Sequence, residues 1–126
     1  MKALSLHPMY AADIATGNKV EEYRTWQTNH RGNLLICASQ YNDGWFFPRG
    51  YALCVVDVVG MKQLDDGSYA WQLENVRPVQ PFKVKGKLHL YDVDDKLIKV
   101  VKRKPDEFLF DWWQYDLGII AAPKRE

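Results

Sequence analysis

Between Lys19 and Trp26 the chain sets Lys19-Val20-Glu21-Glu22-Tyr23-Arg24-Thr25-Trp26, two acids and two bases among apolar and aromatic residues. Valine, tyrosine, threonine and tryptophan favour a strand. Period two would put Val20, Glu22, Arg24 and Trp26 on one face and Lys19, Glu21, Tyr23 and Thr25 on the other. A carboxylate, a guanidinium and an indole in a row suit the lining of a polar cleft. Arg24 can fork onto a phosphate or a base edge, Glu22 can accept from an exocyclic amine, and Trp26 can stack on a base. Arg31 offers a second guanidinium, and Ser39 a hydroxyl at the end of an apolar run. The same residues also read as a solvated edge strand, or as an ion-pair network closing a helix onto a sheet, with Arg31 capping a carbonyl.

Elements that would hold these side chains can be read on either side. Lys2–Leu6 alternates as a first strand. Pro8 can open a short helix through Thr16, with Gly17 as its cap and Tyr10, Ala11 and Ile14 as its inner stripe. The charged strand follows from about Lys19 to Trp26, and Asn33–Ser39 is short and apolar enough for a buried strand. Residues 40–50 read as a loop with a turn at Asn42-Asp43-Gly44. Its Trp45, Phe46 and Phe47 either tuck under the sheet or line the mouth of a cleft, and the core is the expected place for them. Tyr51–Met61 predicts a central strand, Asp65-Asp66-Gly67 a turn, and Tyr69–Val76 a further strand. Pro78 and Pro81 should keep the next segment out of a sheet interior. Lys87–Val93 alternates again. Pro105–Tyr115, with acids behind the proline, predicts a second helix carrying Phe108, Trp112 and Tyr115 at helical spacing. Gly118–Ala122 would add a small last strand. Short strands and frequent turns predict an α+β chain built on a mostly antiparallel, barrel-like sheet.

Composition bounds what such a fold would meet. The 126 residues fit one domain with a real core. The net charge of +1 announces no global affinity for nucleic acid. Locally, however, Lys83–Lys104 holds eight lysines and arginines against three aspartates, a stretch that can face phosphates or simply lie solvated. Cys37 and Cys54 sit in apolar runs and read as buried thiols of a reducing compartment. His7, His30 and His89 lack metal-ligand spacing, so no metal and no cofactor is expected. No run reaches the roughly 18 apolar residues of a membrane span, and the opening residues carry no secretory pattern. A cytoplasmic protein with no membrane contact is expected.

Several segments, taken in order, resemble a known family. They are Leu4-Ser5-Leu6-His7-Pro8, Gly17 through Trp26, Arg31-Gly32-Asn33-Leu34-Leu35-Ile36-Cys37-Ala38-Ser39, Trp71 through Pro78, and Pro81 through Lys87. Together they are similar to the ASCH family of the PUA-like superfamily, as a small single-domain member of bacterial or phage type. His7 stands where the family commonly has glutamine, and Cys37 where histidine is usual. The resemblance covers about residues 2 to 92. It implies a PUA-like fold over residues 1–100; residues 101–126, which it does not cover, are expected as an aromatic and acidic extension packed on the same domain. It also implies a module that binds single-stranded RNA, a nucleotide or a nucleoside through Lys19, Glu22, Arg24, Trp26, Arg31 and Ser39.

An enzymatic alternative comes from the same resemblance. Some small members resemble amidohydrolases of acetylated cytidine that use a lysine, a threonine three residues later and a distant glutamate. Lys19 matches the lysine, but Glu22 occupies the threonine position. Thr25 would face with Lys19, and Glu74 is the candidate for the distant acid. Lys19 and Glu22 would then act as an acid/base pair on an acylated nucleoside or on RNA. The aromatic tail, outside the family pattern, would pack as an accessory helix or present a protein-partner or homodimer surface.

Overall fold

The architecture is described from a computed structural model of the protein covering residues 1–116. Lys2–Leu6 forms β1, and Pro8–Ala15 forms α1 with the proline at its first turn. Gly17 takes φ +82° just past the helix, a conformation that costs a residue with a Cβ. The stripe that α1 buries is Pro8, Ala11, Ile14 and Ala15. Tyr10, expected inward, is 44% exposed, because it lies about 100° around the helix from Ala11. The remaining strands are β2 (Glu21–Arg24), β3 (Gly32–Ala38), β4 (Tyr51–Gln63), β5 (Tyr69–Lys83) and β6 (Tyr91–Asp92). Helix α2 spans Pro105–Asp111 and runs into a π-helical turn, Trp112–Asp116. The last strand expected at Gly118–Ala122 falls outside the described residues.

The strands form one sheet in the order β2-β5-β4-β3-β1-β6, antiparallel except between β1 and β3. No ladder among the described residues joins β2 back to β1, so the barrel-like sheet is open. It nevertheless curls. Three strands separate β2 from β1 in the sheet order, yet Arg24 Nη2 donates to the Ser5 carbonyl at 3.1 Å.

Three expectations about this sheet need correction. Strand β5 does not stop at Val76 but passes through Pro78 and Pro81. Strand β2 covers β5 only over Tyr69–Gln72, so further on the prolines lie where no second full ladder needs their missing N–H. There, among the described residues, the outer side of β5 meets an isolated bridge from Val79 to Val100, with Gln80 N donating to the Lys99 carbonyl and the Pro78 carbonyl accepting from Val101 N. The run Lys87–Val93 pairs only at Tyr91–Asp92, because His89 adopts φ +60° and breaks the extended chain. Trp45 and Phe46, expected in the core, are 74% and 49% exposed, with Trp45 edge-on to Phe46 and Phe46 tilted against Phe47 in the loop after β3.

Two apolar clusters result. One lies between the sheet and the helices and includes Leu4, Ile14, Leu34, Ile36, Val56, Trp71, Leu109 and Trp112. The other, on the opposite face, gathers Ala3, Leu35, Cys37, Val55, Val79 and Tyr91. Alternation along β3 sends even-numbered residues to the first and odd-numbered ones to the second. Both cysteines are buried and free. Helix α2 thus delivers its aromatic stripe to the protein's own core, with Phe108, Leu109 and Trp112 all buried. The side chain of Tyr115 lies outside the described set. No helix among the described residues is long and apolar enough to cross a membrane.

Candidate nucleic-acid interface

Strand β2 turns Glu22 inward opposite Trp71, and Glu22 is the one charged side chain buried among the described residues, at 5% exposure. A buried carboxylate needs partners. Glu22 Oε1 accepts from the Tyr23 amide at 2.8 Å and from Lys19 Nζ at 3.4 Å, while Oε2 lies 3.9 Å from Arg24 Nη2. Lys19 also sits over the rings of Tyr10 and Tyr23, at 4.7 and 5.5 Å from their centroids. Lys19 meets Glu22 despite its opposite parity because the ladder begins at Glu21, so the residues before it are not bound by the strand's alternation. Val20, expected beside Glu22, is exposed for the same reason.

Arg24 carries this cluster to a cleft of about 450 Å³, lined by Ser5, Leu6, His7, Arg24, Ser39, Gln40, Gly86, Lys87 and Leu88. The cleft occupies the gap that a β2–β1 ladder would have filled. Arg24 Nη2 is held by Ser5 O, but its Nε is buried with no hydrogen-bond partner among the described residues. Such an orphan donor is normally answered by an acceptor. Gly86 closes the floor, since a Cβ there would come within 2.8 Å of Ser5 Oγ. Ser5 Oγ in turn lies 2.6 Å from the Tyr91 hydroxyl. Burial, reinforced by Cys37, pushes the Tyr91 phenol above its ordinary range. Either hydroxyl can be the donor of that Ser5–Tyr91 pair.

One wall of the cleft, His7, belongs to a group of stacked rings. His7 stacks on Tyr41 at 4.0 Å between centroids and 14° between planes, and lies parallel to Tyr10 at 5.9 Å. All three residues are exposed. Ser39 Oγ accepts from the Tyr41 amide at 3.3 Å and so helps seat that ring.

Of the residues singled out from sequence, the structure therefore brings Lys19, Glu22 and Arg24 into one cluster, and Arg24 and Ser39 into one cleft. Trp26 is not part of it. The chain bends after Arg24, and the Trp26 indole packs edge-on against Trp71 and His89, each at 4.8 Å, while its carbonyl accepts from Trp71 Nε1. Arg31 precedes β3, whereas Ser39 follows it, so the two lie at opposite ends of that strand. The Arg31 guanidinium caps the carbonyls of Thr28 and His30. Glu74 is exposed on the outward face of β5, because Trp71 and Leu73 alternate inward. Arg77 is structural as well: it ties Asp57, Asn33 and the Asn75 carbonyl together. Sequence reading missed the stacking group. His7 departs from the glutamine usual at its position, and that was the available signal; nothing marked Tyr41. Among the described residues no cluster of histidine, cysteine or carboxylate side chains is suited to a metal.

Comparison with known proteins agrees with this architecture. The ASCH domain profile matches residues 4–106. Curated protein sequences give no match. Among solved structures, the crystal structure of ASCH from Zymomonas mobilis superposes with a TM-score of 0.59 at 14% identity, covering 75% of this chain and 88% of that one. Two single-substitution variants of the Zymomonas protein superpose with TM-scores of 0.59 and 0.58, also at 14% identity. Each covers 87% of this chain, and 96% and 94% of its own. At that identity the likeness concerns the fold.

Proposed function

The chain belongs to the ASCH domain family, and from that premise we propose that it is an RNA- or nucleotide-binding module whose ligand enters the cleft between β2 and β1. PUA-like folds generally bind RNA. The observation that carries the reading is Arg24: anchored through Nη2, without a partner at Nε among the described residues, and lining one cleft with His7, whose exposed ring stacks on Tyr41. A base inserted against His7 and Tyr41 would find stacking surface. Its phosphate would find Arg24 and Lys87, and its polar edge Ser5, Ser39 and Gln40. Lys19 and Glu22 stand behind and orient Arg24.

The test is an NMR titration of the protein with single-stranded RNA and with plain and acylated nucleosides, following the ring signals of His7 and Tyr41. Saturable shifts are expected. His7→Ala should weaken binding about 5- to 100-fold, the loss of one stacking contact. Silence of both rings toward every ligand would sink the reading.

The contact of Lys19 with a buried carboxylate favours a second reading, hydrolysis of an acylated nucleoside or of RNA by the Lys19–Glu22 pair. Product analysis in the same titration separates the two. Catalysis requires that Lys19→Ala abolish turnover and leave ligand capture largely intact.

A further inference from the structure

Beside the cleft lies a second, larger groove of about 720 Å³, and the two share Gln40 and Gly86 in their walls. The second groove adds Arg49, Lys83 and Lys85, with Tyr51, Val84 and Trp113 as apolar floor. Along the joined length the charged side chains are Arg24, Lys87, Lys85, Lys83 and Arg49, and no carboxylate lines either part. Three other surface grooves of this protein each include at least one aspartate.

Of these cations Arg24 is held by Glu22 and the Ser5 carbonyl, while Lys2, helped by Lys87, holds the Asp92 carboxyl below its usual range. Among the described residues, none of Arg49, Lys83, Lys85 and Lys87 has a carboxylate within ion-pair distance. On their far side the lysines border Asp92 and Asp94. Asp92 is paired with Lys2 at 3.0 Å, and the Asp94 carboxylate accepts from the Lys96 amide. Lys83 closes β5, and Lys85 and Lys87 follow it in irregular chain, so three cations close in sequence border the joined grooves.

We infer that the joined grooves are a track for the phosphodiester backbone of a single strand, so that the protein takes an RNA segment of several nucleotides rather than a free nucleoside. The inference rests on the nucleotide reading of the cleft. The nucleotide seated at Arg24 would be the terminus or bend of that strand, with neighbouring phosphates passing over Gly86 toward Lys83 and Arg49.

The experiment measures affinity for a nucleoside monophosphate and for single-stranded RNAs of two, four and eight nucleotides at several salt concentrations. Affinity should rise at least tenfold from monophosphate to tetramer. With one phosphate at Arg24 and Lys87 and three more neutralised by Arg49, Lys83 and Lys85, the octamer should show a log–log salt slope of about −2.8, or about a fiftyfold loss between 50 and 200 mM. The exposed pair Lys83→Ala and Lys85→Ala should make that slope shallower by about 1.4 and leave the monophosphate unaffected. Arg49→Glu, from a different segment, should act the same way. Tight monophosphate binding with no gain on lengthening would overturn the track and spare the nucleotide reading. Failure of every ligand would overturn both. Equal capture of a polyglutamate peptide would overturn the track as a mere trap for anions.

Discussion

Glu22 shows how much one side chain can organise here. Its carboxylate is buried, but the two cations it holds are not: Lys19 and Arg24 side chains are 20% and 27% exposed. Removing the acid therefore leaves two cations that can still reach water, unlike a fully buried pair, where the loss runs to about 3–5 kcal/mol. Glu22→Gln is expected to lower unfolding free energy by about 1–3 kcal/mol, read by urea denaturation, and to weaken RNA binding as Arg24 loses its brace. A variant as stable as the parent that binds equally well would refute the bracing role. Sequence identified Lys19, Glu22 and Arg24 as a unit because charge spacing on a short strand is local information. It misassigned Trp26 because period two holds only while the strand does, and β2 ends at Arg24. Tyr41 was illegible for another reason: its partner His7 is 34 positions away, and only the fold stacks them.

At the scale of elements, α2 is the part the family pattern says least about and the core uses most directly. The match ends at residue 106, one position after the helix begins. Yet Leu109 and Trp112 join the same cluster as Ile14 and Trp71, and Trp112 meets Tyr51 edge-on at 4.9 Å. Trp112→Ala should cost about 3–5 kcal/mol, measured as a shift in the denaturation midpoint at unchanged slope. A loss under about 1 kcal/mol would mean that the tail is an accessory rather than part of the core. The helix was legible from Pro105, the following acids and the aromatic spacing. The length of β5 was not, because a proline argues against a central strand, and only the sheet order reveals that β2 stops short of Pro78. The exposed Trp45–Phe46–Phe47 loop escaped for a similar reason: aromatic content argues for burial, whereas the core here is already filled by residues of the sheet and helices.

For the whole molecule, the shifted titrations of the groups within the fold, Cys37, Cys54 and Tyr91, point to the alkaline side, while the exposed Asp66 and Asp92 carboxyls are lowered by their hydrogen bonds. Burial pushes the Cys37 thiol from its ordinary value of 9.0 up to about 11, against a smaller opposing hydrogen bond from Tyr91. Burial likewise raises Cys54 and Tyr91. A group that holds its proton more tightly when folded contributes stability that is complete below its unfolded value and lost as pH rises through the folded one. Stability should thus be flat with respect to these groups up to about pH 9 and fall toward pH 11, by on the order of 3 kcal/mol for Cys37. Denaturation midpoints at pH 8, 9.5 and 10.5 check this, with Cys37→Ala showing the shallower decline. An alkaline limb identical in that variant would assign the loss elsewhere.

The unclosed gap between β2 and β1 has a mechanical meaning. A full barrel is a hoop held by hydrogen bonds all the way round; this one is a split ring whose ends are tied by the Arg24 side chain to Ser5 and by edge contact of Trp26 with His89. The charges along β2 keep that free edge from recruiting a strand of another molecule. A strand of RNA laid in the gap would act as a clasp, joining across the split what the chain's own backbone leaves apart, so that occupancy and rigidity of the ring would rise together.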